Sequence, residues 1–259
     1  MKVLIGINNL TSVQRMAYAN HCQFWFRLGR QYPNDDFGFC NPERMTIDHM
    51  RNFAAKAAME LDFDYLMFVD DDVLLPFEAF KKLYERNVDV VAGVTLIRGY
   101  PYHPMIFDFL HTQLTEDKCH YVDNYKERCD KTGLLECDAV GFSCCLIKVS
   151  VLRALWKSNP MPFFITGENH TEDIFFCGRV KKELSDIKIY CDTTVETAHI
   201  LGTNIIEPSN KDAKILFDET LDPTLKRDVR DAESRVKLFN PAIIRAVDYP
   251  KMVKEKIWG

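Results

Sequence analysis

One short run limits what this chain can fold into more than any other. Tyr65-Leu66-Met67-Phe68-Val69 is apolar throughout, and Asp70-Asp71-Asp72 follows without a break. A brief apolar block of this kind reads as a strand buried on both faces. Three carboxylates at its C-terminal end fall where open α/β sheets bind their ligands. The surrounding pattern supplies the rest of such a sheet. Residues 3–7, 88–94, 136–140, 144–149 and 187–191 read as further strands, and 195–199 as one more. Helical spacing runs from a cap at Ser12 to about Arg30, through Val13, Met16, Ala17, Phe24 and Leu28. A second helix starts at Pro42 or at Thr46, with Met50, Phe53, Ala54, Ala57, Ala58 and Leu61 as its apolar stripe and Arg51 off the stripe's centre. Pro76 opens a third helix, 151–156 forms a short one, and Thr171 caps a last one carrying Ile174, Phe176, Val180 and Leu184. Residues 32–36 and 159–170 read as loops, as does the Gly-, Pro- and aromatic-rich 98–104. Alternating strands and helices predict an α/β fold: a mainly parallel, Rossmann-like sheet with helices on both faces.

Composition agrees with one large domain or two small ones. The chain has 259 residues, 47% hydrophobic and 27% charged, which excludes disordered, collagen-like and coiled-coil chains. No apolar run approaches the roughly 18 residues a bilayer-crossing helix requires. The opening MKVLIGINNLTS reads as a first strand rather than a signal peptide. Nine cysteines, an odd number without regular spacing, fit reduced thiols and a cytoplasmic location. Cys119 to Cys137, with His120, matches no standard zinc-finger spacing. A net charge of -5 excludes a dedicated nucleic-acid coat, though not a nucleic acid as substrate. Apolar periodicity weakens after Gly202. The expected organisation is a domain over 1–202 and a helical extension over 203–259, packed on the core or on a partner.

The aspartates suggest a chemistry. If the strand stays extended, Asp70 and Asp72 share one side and Asp71 takes the other. Two carboxylates at a sheet mouth suit a hard divalent cation such as Mg²⁺ or Mn²⁺, which takes its remaining ligands from water and phosphate. The implied function is an ion bridging protein carboxylates and a diphosphate. The other reading is a solvated acidic turn, favoured by the positive end of the helix opened by Pro76.

Phe68-Val69-Asp70-Asp71-Asp72 resembles the DxD motif of glycosyltransferases with the GT-A fold, which use nucleotide-diphosphate sugars and usually a divalent metal. Three more features follow that family's order. Val3-Leu4-Ile5-Gly6-Ile7-Asn8 is similar to its opening strand, Thr171-Glu172-Asp173-Ile174-Phe175-Phe176 to its xED motif, and Thr197-Ala198-His199-Ile200-Leu201-Gly202 to the stretch bearing a late metal or diphosphate ligand. The resemblance covers about residues 1–202 and is nearest to family 2-like transferases, including compact ones of bacteria and bacteriophages.

That resemblance implies roles. Asp72 and His199 would hold the metal, with Asp70 as a further ligand or nearer the ribose. A mixed carboxylate–imidazole set leans toward Mn²⁺. Asp173 would be the general base of an inverting transfer, with Glu172 the neighbouring option; the plain alternative for both is helix capping. Asn8, Thr11, Arg51, Asp70 and Asp71 would contact the nucleotide, most often UDP in this family. Gly141-Phe142-Ser143 is either space for the sugar or a tight turn. Tyr100, Tyr102, His103 and Trp156 offer an acceptor platform, though ordinary packing is the simpler reading. The acceptor is open: a soluble sugar, a protein, a small molecule or a hydroxylated DNA base. Two alternatives stand beside the transferase: a carboxylate–metal nucleotidyltransferase or phosphohydrolase, and a non-catalytic sugar-nucleotide-binding module. No GxGxxG follows the first strand, and Gly141-Phe142-Ser143-Cys144-Cys145 fails the GxSxG pattern.

Overall fold

A computed structural model describes residues 1–9, 14–42, 45–98, 102–109, 121–123, 133–167, 170–201 and 204–206. In chain order the elements are β1 (Lys2–Asn8), α1 (Arg15–Gln31), β2 (Asp36–Cys40), α2 (Ile47–Glu60), β3 (Tyr65–Asp70), β4 (Val73–Leu74), α3 (Ala79–Glu85), β5 (Val90–Val94), β6 (Ile106–Phe109), β7 (Tyr121–Asp123), β8 (Leu134–Cys137), β9 (Ala139–Val140), β10 (Cys144–Lys148), α4 (Val149–Ser158), α5 (Glu172–Glu183), β11 (Ile189–Glu196), β12 (Ala198–Leu201) and β13 (Asn204–Ile206).

The apolar run of β3 lies inside a seven-stranded sheet of order β2-β1-β3-β10-β5-β11-β8. β1 pairs in parallel with both β2 and β3, and β5 pairs in parallel with β11. Only β10 and β8 run against the other five strands. Side chains alternate across the sheet, and each face feeds its own core. On one face Leu4, Leu66, Phe68, Cys145 and Ile147 pack with Ala54 and Ala58 of α2, Leu152 of α4 and Phe176 of α5. On the other, Val3, Ile5, Met67, Val69 and Leu146 pack with Phe24 and Leu28 of α1 and Phe80 and Leu83 of α3. The result is the predicted mainly parallel, Rossmann-like sheet with helices on both sides. Each fully buried Leu or Phe adds about 2 kcal/mol by leaving water, which offsets the chain entropy of ordering the strands.

Two small sheets flank the main one, β13-β12-β4 and β7-β6-β9. The first depends on Gly93. β11 changes register against β5 between Asp192 and Glu196, and the backbone of Val195 closes on Gly93. A Cβ at Gly93 would lie 2.8 Å from the Val195 carbonyl oxygen. Only glycine admits that approach, and the irregularity turns the chain out of the large sheet into β12.

Several expectations need correction. α1 begins at Arg15 behind Gln14, not at a Ser12 cap, and Ser12 lies outside the described residues. Thr46, not Pro42, stands before α2. Within α2, Phe53 and Leu61 are exposed while Arg51 is buried among the apolar residues. α3 begins at Ala79, after a turn at Pro76. β2 falls partly in a stretch read as loop. Its sequence Asp-Phe-Gly-Phe-Cys is a poor strand former, and its register is set by β1. Asn204–Ile206 is a strand paired to β12, so the core passes the 202 boundary. The helical extension assigned to later residues lies outside the described ones.

Candidate active site

The site forms at the C-terminal ends of β1 and β3, where Asn8 and Asp70 face each other in register. The chain does not stay extended through the aspartates. β3 ends at Asp70, and Asp71 and Asp72 form a turn into β4. Asp70 and Asp72 therefore serve two different neighbourhoods rather than one shared side.

The first is a buried charge cluster around Arg51, which is only 3% exposed. One terminal nitrogen donates to Asp70 Oδ1 at 3.2 Å, and Nε forms an ion pair with Glu172 Oε1 at 3.3 Å. The Asn8 amide also donates to Asp70 Oδ1, at 3.1 Å, and the Asp70 amide donates to the Ser143 carbonyl. Beneath the guanidinium lie the rings of Phe68 and Phe142, centred 5.4 and 5.5 Å away, a cation–π placement. Those rings belong to an aromatic floor completed by Phe164 and Phe176. Burial pushes the Asp70 carboxyl up, but the Arg51 guanidinium, with Asn8 and Ser143, outweighs it and holds the group below the usual carboxylate range. Glu172 moves the other way: burial and neighbouring Asp173 raise it, against the pull of Arg51. Despite these partners, Asn8 Oδ1 and Arg51 Nε and Nη1 are buried without a hydrogen bond. Nε still faces Glu172, so Asn8 Oδ1 and Arg51 Nη1 are the atoms of this cluster left to a ligand or to water.

Asp173 is 3% exposed at the start of α5. The Thr171 hydroxyl donates to its carboxylate, and Oδ1 accepts the Ile174 amide at 2.8 Å. Thr171 stands at the N-cap position expected of it but makes no side-chain cap hydrogen bond; its hydroxyl is turned to Asp173 instead.

The second neighbourhood is Asp72 with His199, both about 6% exposed. The β13-β12-β4 sheet joins them: His199 pairs with Val73, and the Ile200 amide donates to the Asp72 carbonyl at 2.9 Å. A pair of threonines fastens the approach, with the Thr95 and Thr197 hydroxyls 2.6 Å apart. His199 Nδ1 lies 2.8 Å from the Leu96 carbonyl, which accepts only a proton-bearing nitrogen. Burial pushes the ring's pKa down. With Nδ1 at the Leu96 carbonyl, Nε2 is left to accept, and it sits 3.5 Å from Asp72 Oδ1. A cation bridges the two: the Arg98 guanidinium contacts Asp72 and donates from Nε to His199 Nε2 at 3.3 Å.

The pair fits a divalent ion that completes its shell with water and phosphate, since such ions commonly take only one or two protein carboxylates. Among the described residues no group of three His, Cys, Asp or Glu side chains converges on one metal position. Asp70 is hydrogen-bonded to Arg51 and Asn8 rather than to the Asp72–His199 pair, though its charge is felt at His199. Asp71 is half-buried in the turn, its carboxyl raised by burial and by Asp70. Thr11 and Tyr100 lie outside the described residues, as do Cys119 and His120. Tyr102 is buried and belongs to packing, whereas Trp156 is exposed on α4. Gly141-Phe142-Ser143 is a turn whose Phe142 and Ser143 both serve the Arg51 cluster. Sequence reasoning named these two residues only as sugar space or a turn, and it missed Arg98. The only signal was a lone charge opening an aromatic- and proline-rich loop.

No known family profile matches the sequence, and no curated protein matches it. Among solved structures, the chain is similar to "Crystal Structure of A197 from STIV", with a TM-score of 0.53 and 16% identity over 80% of this chain and 91% of that one. Weaker overlaps exist with an apo UDP-glucose pyrophosphorylase (TM-score 0.39, 8% identity, 76% of each chain) and with S. aureus TarS 1-349 (TM-score 0.37, 15% identity, 75% of this chain and 61% of that one). The first of the three establishes a shared architecture, on which the chemistry is read from the side chains alone.

Proposed function

We propose that this protein is a metal-dependent, inverting glycosyltransferase that moves a sugar from a nucleotide-diphosphate sugar, UDP being the expected nucleotide, to an acceptor hydroxyl. One observation carries the reading: His199, its Nδ1 held by the Leu96 carbonyl, faces Asp72 at 3.5 Å at the strand-end mouth, beside a buried Arg51 Nη1 that has no hydrogen-bond partner. Mn²⁺ or Mg²⁺ bound by Asp72 and His199 would supply Lewis-acid stabilisation of the departing diphosphate. Asn8, Arg51 and Asp70 form the nucleotide side of the cleft. Arg51 directs positive charge toward it from a rigid aromatic floor, so little reorganisation accompanies reaction. The acceptor oxygen attacks the anomeric carbon from the face opposite the diphosphate. The carbon–oxygen bond to phosphate breaks, and its electron pair leaves with the diphosphate. Asp173 accepts the acceptor hydroxyl's proton while Thr171 and the α5 amide hold its carboxylate in place. Glu172 keeps Arg51 in register.

The test is nucleotide release. The protein is incubated with UDP-sugars, a panel of acceptors and Mn²⁺, and free nucleoside diphosphate is measured. Release should vanish with chelator and in Asp72→Asn, and should fall by about a hundredfold or more in Asp173→Asn, the usual worth of a general base. Full activity in Asp173→Asn would remove the base assignment. Nucleoside triphosphate appearing on addition of pyrophosphate would instead make the protein a nucleotidyltransferase.

A further inference from the structure

Arg98 occupies a place that the proposed reaction does not explain. Its side chain is 61% exposed, yet its guanidinium reaches the nearly buried Asp72 carboxylate and the Nε2 atom of His199. The residue extends from an arm with a fixed base. Leu96 bridges Pro104, the Ile97 amide donates to the His103 carbonyl at 2.8 Å, and the Met105 amide donates to Thr95 at 2.8 Å. Leu96 is fully buried and its carbonyl is the group that orients His199. The returning limb is anchored by Tyr102, 2% exposed with φ of 60°. A fixed base with an exposed cationic side chain lets the guanidinium move without disturbing the imidazole.

The charge balance requires such movement if a metal is to enter. A guanidinium in contact with Asp72 and His199 would be repelled by an arriving dication. Once displaced, it lies beside the mouth where a diphosphate would sit, and guanidinium is well suited to pair with phosphate oxygens.

We propose that Arg98 is a donor-binding residue that exchanges partners: it holds Asp72 and His199 until metal and nucleoside diphosphate arrive together, then transfers its guanidinium to the diphosphate. The inference rests on the metal-site reading above. It makes metal and nucleotide bind cooperatively, because the nucleotide rewards the displacement that metal alone must drive.

The experiment measures Mn²⁺ affinity directly, by the electron spin resonance signal of free Mn²⁺, with and without UDP, in the unchanged protein, Arg98→Ala and Arg98→Lys. Arg98→Ala should bind Mn²⁺ without UDP about tenfold more tightly, as expected for losing a charged contact to a largely buried carboxylate. Its gain in Mn²⁺ affinity on adding UDP should shrink, and Arg98→Lys should fall between. Broadening of the His199 ring signals by Mn²⁺ gives a second readout of the same order. Equal or weaker Mn²⁺ binding by Arg98→Ala, with the unchanged protein still binding Mn²⁺, overturns the exchange and leaves the metal site standing. Failure of all three proteins to bind Mn²⁺, with or without UDP, overturns both.

Discussion

The two halves of the cleft solve the same electrostatic problem in opposite ways. Around Arg51, the positive charge is internal and nearly inaccessible, wedged between Asp70 and Glu172 over a floor of phenylalanines. Around Asp72 and His199, the positive charge arrives on an exposed side chain from a separate arm. Charges of the first kind are costly to unpair, because nothing replaces the lost partner. Charges of the second kind are screened by water and leave easily. The site therefore combines an internally compensated ion cluster with an exchangeable cation, and only the second is suited to trade places with a metal.

The contrast can be broken by substitution. The largest effect is expected for Arg51→Met, which leaves Asp70 and Glu172 buried without their countercharge and should cost about 3–5 kcal/mol in denaturant unfolding. A loss below about 1 kcal/mol would mean that the cluster is not internally compensated as described. Next is Gly93→Ala. Its Cβ would press on the Val195 carbonyl, with an expected cost of about 1–3 kcal/mol. Because Gly93 governs the exit of β11, Mn²⁺ affinity should fall with stability, while UDP contacts on the Arg51 side persist.

A pH titration sharpens the comparison. Burial depresses both His199 and His21, whose Nε2 bonds the Val73 carbonyl. Their folded-state values lie below the ordinary 6.5, so the unfolded chain binds more protons under mild acid. Stability should be full above about pH 6.5 and fall as pH drops through the depressed folded values. Asp70, also depressed, adds a further loss at lower pH, beginning below its ordinary 3.8. His21→Gln should flatten the first of these declines in urea-unfolding curves collected across pH. The smallest effect belongs to Arg98→Ala, which should lower metal-free unfolding stability by about 1.4 kcal/mol, the same contact energy that a tenfold tighter Mn²⁺ binding reflects.

Much of this arrangement was legible in the sequence. The apolar β3 run, its aspartates, the Glu172-Asp173 helix start and the approach to His199 are continuous stretches whose local pattern already encodes their element. They specify which strand ends and helix starts meet. What escaped was set by distant contacts. β2 is a weak strand former placed by the register of β1. For Arg51 the sequence offered a nucleotide contact but not its burial, because the carboxylates and rings that bury it lie elsewhere in the chain. The turn separating Asp70 from Asp72 follows from the pairing of β4 with β12, and no window of a few residues contains both. Ser143 was legible as sugar space or a turn but not as a partner of Asp70, which it meets through its backbone as well as its side chain.

The short sheet that ties β4 to β12 also sets a schedule. Val73 and Leu74 are synthesised early, but the strand that covers them, and brings the imidazole with it, comes near residue 200. A nascent chain can pair β1, β2 and β3 long before that strand leaves the ribosome, whereas β11 of the same central sheet is made just ahead of it. Until it does, Asp72 stands without the imidazole that the finished chain sets beside it.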